Sequence, residues 1–126
     1  MGEAKRPGEV LWIDLTVPEA ERVRDFYREV VGFEVGGVDM GGYEDFELSP
    51  PGGRPVAGVC HARAGNAGLP AQWLVYFAVD DLDASLERTR EGGGEVIAGP
   101  KRMPGHGRYA VVRDPSGAVA ALFEQS

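Results

Sequence analysis

Strict alternation of apolar and polar residues marks the first structured segment of the chain, Val10 to Val17. Odd-numbered positions from 11 to 17 are all aliphatic, whereas positions 12, 14 and 16 carry an indole, a carboxylate and a hydroxyl. Successive side chains of a β-strand point to opposite faces, so one face can pack under a helix and the other can line a cavity. The segment from Gln72 to Val79 alternates in the same way. We therefore expect these two strands to form the floor of two halves of one site.

Apolar residues at three- and four-residue spacing follow the first strand and predict an amphipathic helix. They are Ala20, Val23, Phe26, Tyr27 and Val30. Pro18 suits the first turn of this helix, and Gly32 is expected to end it. A second helix is predicted after Asp80-Asp81-Leu82-Asp83, whose carboxylates can cap its start, and a run of three glycines at 92–94 ends it.

The order strand, helix, strand, strand, strand occurs twice, over about 9–62 and about 72–124. The other strands are predicted at 33–38, 43–49, 55–62, 95–98, 107–113 and 118–124, with a linker at 63–71 and a loop at 99–107. Gly94 repeats Gly32 and Val119 repeats Val56, at a nearly constant offset along the chain. Each module alone can bury only one face of its sheet, so we expect the two to pair around a shared interior. The fold class is therefore α+β, with residues 1–126 forming one domain.

The amino-acid composition limits the classes of function that this protein can have. The chain has 126 residues, of which 43% are hydrophobic and 26% charged, as is typical of one globular domain. Its net charge of −7 argues against nucleic acid as a partner. No apolar run approaches a membrane span or the core of a signal peptide, so a cytoplasmic location without membrane partners is expected. A single cysteine, Cys60, excludes an internal disulfide and a cysteine-based zinc cluster.

Motifs along residues 9–124 resemble the vicinal oxygen chelate superfamily, which includes glyoxalase I, extradiol dioxygenases and the fosfomycin- and bleomycin-resistance proteins. In the first module the likeness lies in Trp12-Ile-Asp-Leu-Thr-Val-Pro-Glu, Phe26-Tyr27 and Gly32-Phe33-Glu34. In the second it lies in Trp73-Leu-Val-Tyr-Phe-Ala-Val-Asp-Asp-Leu-Asp, Gly92-Gly93, Gly107-Arg-Tyr-Ala-Val-Val-Arg-Asp-Pro-Ser-Gly and Leu122-Phe123-Glu124. The resemblance implies two βαβββ modules that pair into a half-open mixed β-sheet barrel.

The resemblance also implies four positions at which the metal enzymes of the superfamily hold an ion. In this sequence they fall on Trp12, Gly58, Leu74 and Ala121. Divalent metals need imidazole or carboxylate ligands, which none of these residues supplies. We therefore expect neither a metal nor another cofactor.

The remaining cavity face has small residues, Gly58 and Ala121, in its floor and aromatic residues in its wall. Flat aromatic side chains favour planar ligands, so an aromatic small molecule is the expected partner. The predicted ligand-binding residues are Trp12, Asp14, Thr16, Gly58, Cys60, Leu74, Tyr76, Ala121 and Phe123. This face resembles the drug-binding members of the superfamily, whose pockets often lie between two subunits, and a homodimer is expected.

Several residues allow more than one interpretation. Asp14 could bind a ligand cation, act as a base or pair with an arginine. His61 and Glu124 occupy equivalent places and could join Asp14 in an off-pattern metal site, although the alternation turns both away from the cavity. Cys60 is expected to be a packed thiol rather than a nucleophile. The basic, glycine-rich loop around 100–107 could be a lid or a plain hairpin loop.

The leading hypothesis is a metal-free protein that sequesters an aromatic or apolar natural product, as antibiotic-resistance proteins do. A glyoxalase-like lyase or isomerase is the alternative, either with a displaced metal site or with Asp14 as a general base. A third interpretation is a member that has kept the fold alone and regulates or scaffolds a partner.

Overall fold

The computed structural model describes residues 6–126 and, within them, places two helices and eight strands in the predicted order. The elements are β1 Val10–Val17, α1 Ala20–Val31, β2 Glu34–Asp39, β3 Glu44–Ser49, β4 Ala57–His61, β5 Trp73–Ala78, α2 Leu82–Glu91, β6 Glu95–Met103, β7 Gly107–Arg113 and β8 Val119–Gln125. The predicted linker contains one 3-10 turn, Ala64–Asn66. Residues 13–73 form one compact unit, and residues 6–12 form another with 74–126.

Unit 13–73 carries a mixed sheet in the strand order β2-β3-β4-β1. Strands β1 and β4 are parallel, whereas β3 runs antiparallel to both β2 and β4. The alternation of β1 is realised as predicted, because its aliphatic residues join a core between the sheet and α1. That core consists of Leu15, Val17, Ala20, Phe46, Leu48, Ala57 and Val59.

Helix α1 ends at Gly32, as the sequence predicts. Gly32 has a φ of 89° and donates its N–H to the carbonyl of Arg28 at 2.9 Å. This left-handed conformation suits glycine and ends the helix. The predicted apolar face of the helix is only partly buried. Val23 and Tyr27 pack on the core, whereas Phe26 is 57% exposed.

The other unit contains the strand order β5-β8-β7-β6, with β5 parallel to β8 and β7 antiparallel to both of its neighbours. Helix α2 covers this sheet through a core of Leu82, Leu86, Ala110 and Val112. The predicted cap is present, because the Asp81 carboxylate accepts a hydrogen bond from the Ala84 N–H at 3.1 Å. Such a cap stabilises the first turn of the helix.

The predicted loop at 99–107 is wrong. Strand β6 continues to Met103, and only residues 104–106 connect it to β7. Two register shifts, between Val96 and Ala98 and between Ala98 and Lys101, allow the strand to pass the glycine and proline that indicated a loop. Because Lys101 and Met103 pair with β7, this segment is part of the sheet and not a lid.

Within residues 6–126, neither helix is long and apolar enough to cross a membrane.

Candidate functional site

Four of the predicted ligand-binding residues are neighbours in unit 13–73. Asp14 pairs with Gly58 and Thr16 pairs with Cys60 on the parallel strands β1 and β4. Their side chains share the face of the sheet opposite the helix-covered core. Thr16 is buried, whereas Asp14 and Cys60 are partly exposed. The sequence alternation therefore brought these four residues to one face.

A thiol–carboxylate hydrogen bond joins two of these residues. The Cys60 thiol donates to Asp14 Oδ2 at 3.4 Å. Burial raises the pKa of the Cys60 thiol far above that of a free cysteine, and the negative charges of Asp14 and Asp45 raise it further. Cys60 is therefore a neutral hydrogen-bond donor, which agrees with its expected role as a packed thiol and disfavours it as a nucleophile.

A second carboxylate on this face, besides Asp14, escaped the sequence analysis. Glu47 of β3 pairs with Gly58 of β4 from the side opposite to Asp14, so Glu47 and Asp14 flank the glycine in one row across three strands. Glu47 is partly exposed. The signal was present in β3, where Phe46 and Leu48 alternate with acidic residues. The row forms an anionic strip that can attract a cationic group.

The other predicted residues belong to the unit of residues 6–12 and 74–126. Tyr76 pairs with Ala121, which pairs in turn with Val111 of β7. Phe123 pairs with Tyr109, whose ring lies 6.2 Å from the ring of Tyr76 at 49°. The parallel and antiparallel ladders thus gather an aromatic pair on one face of this sheet. Sequence analysis missed Tyr109, although it alternates with buried apolar residues of β7.

This aromatic face is closely packed. Leu74 and Ala121 have no exposed surface, while Tyr76 and Phe123 are 8% exposed, and Trp12 is partly buried. None of the nine predicted residues lines either of two surface clefts. One cleft of about 360 Å³ is lined by Val17, Pro18, Glu19, Arg22, Val23 and Phe26. Another of about 310 Å³ is lined by Pro7, Gly8, Phe77, Ala78, Val79, Asp80, Asp81, Ala84, Ser85 and Arg88.

Two residues considered for an off-pattern metal site have protein partners instead. The ring of His61 lies between the carboxylates of Asp45 and Glu21, at 3.1 and 3.3 Å. Glu124 accepts a hydrogen bond from Arg108 at 2.9 Å and another from the Leu82 N–H at 2.8 Å. Both residues therefore connect a helix start to the strands of their own unit.

The positions at which this fold would hold a metal do not fit one. Trp12, Gly58, Leu74 and Ala121 offer no carboxylate, imidazole or thiolate. Among residues 6–126, no three His, Cys, Asp or Glu side chains are grouped so that they could hold a metal ion. The side chains on the two faces can instead donate and accept hydrogen bonds, attract cations and stack.

The fold and these faces define an α+β protein of duplicated βαβββ modules. The profile of the Glyoxalase/Bleomycin resistance protein/Dioxygenase superfamily matches residues 9–122. The chain belongs to that superfamily, which confirms the resemblance and the fold class predicted from the sequence.

Two relatives have a similar level of sequence identity to this chain. CFP32 of Mycobacterium tuberculosis, provisionally named a glyoxylase, is 32% identical over 117 residues, which cover 93% of this chain and 44% of that protein. DnrV of Streptomyces peucetius, named an anthracycline biosynthesis protein, is 37% identical over 134 residues, with coverage of 94% and 48%. The chain thus spans less than half the length of these relatives.

A solved structure shares the fold. The methylmalonyl-CoA epimerase of Streptomyces coelicolor superposes with a TM-score of 0.57 at 18% identity, covering 96% of this chain and 99% of that chain. At this identity the likeness concerns the fold alone, because one fold hosts many chemistries.

Proposed function

We propose that this protein binds and sequesters a planar aromatic natural product without using a metal. The observation that carries the proposal is the side-chain chemistry of the four ligand positions, since Trp12, Gly58, Leu74 and Ala121 cannot coordinate an ion. Gly58 has no side chain and Ala121 has only a methyl group. Each of these two residues lies beside a residue that can contact a small molecule. Asp14 is the neighbour of Gly58, and Tyr76 is the neighbour of Ala121.

The charge on the face of β1, β3 and β4 narrows the ligand class. Asp14 and Glu47 flank Gly58, and both side chains are partly exposed. A ligand with an ammonium group on its aromatic body would gain attraction from these carboxylates. Supporting this choice, DnrV is named for the biosynthesis of anthracyclines, which are aromatic. The other residues proposed to bind are Trp12, Thr16, Cys60, Leu74, Tyr76 and Phe123.

Fluorescence titration with a panel of aromatic antibiotics, including an anthracycline and a glycopeptide, tests the proposal. We expect saturable binding at one ligand per site and a change in tryptophan emission. Trp12→Phe should remove the emission change. Trp73→Phe is the matched control, because the Trp73 indole donates a hydrogen bond to the Tyr27 hydroxyl at 3.1 Å within the protein. Absence of binding across the panel would contradict the proposal.

Charge-matched variants locate the site. Asp14→Asn should weaken the binding of a cationic ligand about tenfold, as expected for the loss of one charge-assisted hydrogen bond, with less effect on a neutral analogue. Asp80→Asn is the control, since Asp80 lines the cleft of about 310 Å³ instead. Affinity lost in Asp80→Asn but kept in Asp14→Asn would place the site elsewhere.

The proposal includes a homodimer and, in the cell, protection by stoichiometric binding. Light scattering of the purified protein measures the first, with twice the mass of 13.5 kDa as the expected result. A single-chain mass with ligand present would contradict it. Protection is measured as the growth of a strain that expresses this protein in the presence of the antibiotic that the protein binds.

An enzyme is the second candidate, because CFP32 carries a glyoxylase name at 32% identity. In this version Asp14 would remove a proton from a bound substrate as a general base. Turnover of an α-oxoaldehyde–thiol adduct that disappears in Asp14→Asn, while the folded circular dichroism spectrum persists, would favour the enzyme over the binding protein.

A further inference from the structure

A histidine sandwiched between two carboxylates connects three elements of unit 13–73. His61 at the end of β4 places Nδ1 3.1 Å from Asp45 Oδ1 on β3, and Nε2 3.3 Å from Glu21 Oε1 on α1. The backbone N–H of His61 also donates to Asp45 Oδ1 at 2.9 Å. The side chains of His61 and Asp45 are 15% and 12% exposed, and that of Glu21 is 62% exposed. We refer to these three residues as the His61 cluster.

The second repeat has a cluster at the equivalent positions. Asp83 corresponds to Glu21, Arg108 to Asp45 and Glu124 to His61, at the same nearly constant offset that relates the two repeats. Arg108 donates to Glu124 at 2.9 Å and to Asp83 at 3.3 Å. Glu124 also accepts the N–H of Leu82, the first residue of α2. We call Asp83, Arg108 and Glu124 the Arg108 cluster.

Both clusters attach the first turn of a helix to two strands, but their cations differ. The guanidinium of Arg108 is charged at every pH that the folded protein experiences. In the His61 cluster, the ring of His61 is the group that stands between the carboxylates, and histidine changes charge near neutral pH.

Both ring contacts can be hydrogen bonds at the same time only when the ring is protonated. A neutral imidazole has one N–H, so only one nitrogen can donate while the other presents a lone pair. With carboxylate oxygens at both nitrogens, the neutral form would set a lone pair against Glu21 or Asp45. The imidazolium donates to both, and its charge offsets one of the two carboxylates.

Aromatic rings and arginine side chains surround the ring of His61. The ring centres of Tyr43, which directly precedes β3, and of Phe46 on β3 lie 5.5 and 5.9 Å from that of His61. Two arginines stack on these aromatic rings: Arg63 lies 3.7 Å from the ring centre of Tyr43, and Arg24 lies 4.5 Å from that of Phe46. Arg24 also pairs with Asp25 at 3.0 Å.

Two titratable groups near His61, the carboxyl of Glu21 and the thiol of Cys60, have pKa values displaced away from neutral pH. Hydrogen bonds from its own backbone and then from His61 keep the pKa of Glu21 below its usual value. Burial, reinforced by Asp14 and Asp45, raises the pKa of Cys60. Between about pH 5.5 and pH 8.5, a range that brackets the ordinary histidine pKa of about 6.5, these groups do not compete with His61.

We propose that His61 is a pH-dependent latch, which holds the first turn of α1 against β3 and β4 when protonated and weakens that attachment when neutral. The Arg108 cluster is its counterpart in the second repeat, and its charges do not change over the range in which histidine titrates. This inference stands apart from the proposed ligand, because it concerns the attachment of a helix and needs no bound molecule.

Equilibrium unfolding in urea of the full chain tests the latch with His61→Gln, which keeps one donor but no titrating group. The ratio of unfolding constants, variant over wild type, should fall several-fold, up to about tenfold, from pH 5.5 to pH 8.5. Arg108→Gln is the matched control, and its ratio should stay constant over the same range. A ratio for His61→Gln that is also constant would overturn the proposal.

A spectroscopic measurement on the unsubstituted side chain keeps the proposal testable if His61→Gln does not fold. His106→Gln leaves His61 as the one remaining histidine, since the chain has two. Nitrogen-15 shifts should show both ring nitrogens protonated at pH 5.5, and the amides of the first turn of α1 should shift in the same step. A ring that is neutral at pH 5.5, or amides that do not follow it, would refute the latch.

Discussion

The thiol of Cys60 and the carboxylate of Asp14 form a hydrogen bond of 3.4 Å between parallel strands that are distant in the chain. This contact combines a partly buried, neutral donor with a charged acceptor on the face proposed to bind a ligand. The rate at which a reagent alkylates the single cysteine therefore reports on the burial and charge of that face.

Alkylation of Cys60 should be slow in the folded protein. At pH 8 the raised thiol pKa leaves little thiolate, so reaction with iodoacetamide should be at least about tenfold slower than in urea-unfolded protein. Asp14→Asn removes one negative charge and should accelerate the folded reaction. Burial is the largest cause, so this variant should remain slower than the unfolded chain; equal rates would contradict the assignment.

Core packing in unit 13–73 should depend on Val59. This residue has no exposed surface, and Val59→Ala should lower the free energy of unfolding by about 2 kcal/mol through lost burial and a residual cavity. Val30→Ala is the matched control, because Val30 is 63% exposed on α1, and it should change stability by less than about 0.5 kcal/mol. Denaturant melts of both variants measure the difference, which should vanish if β4 does not pack under α1.

Gly107 at the start of β7 should not tolerate a side chain. Its φ is 145°, and a Cβ there would press into the carbonyl oxygen of Glu124 and lie 3.0 Å from Gln125 Cα. Gly107→Ala should therefore cost about 3 kcal/mol or more. Gly32→Ala meets no neighbour and should cost only about 1 kcal/mol from its left-handed conformation. Thermal unfolding of the two variants compares them, and equal losses would be inconsistent with the close approach.

Acid should weaken the Arg108 cluster. The N–H of Leu82, followed by Arg108, lowers the pKa of Glu124 in the folded protein. A carboxyl whose pKa is lowered on folding stabilises the protein above its unfolded pKa, and that stability is lost as pH falls through the folded pKa. Wild type should thus lose more stability than Glu124→Gln between about pH 6 and about pH 3. The free energy of unfolding of both proteins is measured at each pH. An equal loss in wild type and Glu124→Gln would show that Glu124 makes no such contribution.

Local patterns in the sequence were sufficient for the elements and for the faces of several strands. The alternation in β1 placed Leu15 and Val17 in the core and Asp14 on the other face, because a period of two is a property of any strand. Gly32 ended α1 because glycine accepts the left-handed conformation that ends a helix. The internal repeat of the chain similarly indicated the superfamily, which the match over residues 9–122 confirms.

The contacts of individual side chains and the length of β6 could be determined only from the tertiary structure. The sequence left Asp14 with three interpretations, and only the register of β1 against β4 placed Cys60 beside it. His61 found Glu21 and Asp45 because a helix start and two strands meet there. Strand β6 continued through a segment that reads as a loop, because pairing with β7 and its register shifts outweigh the local preference of glycine and proline. Local periodicity determines which face a residue occupies, whereas the distant segment that meets that face is selected only when the sheet assembles.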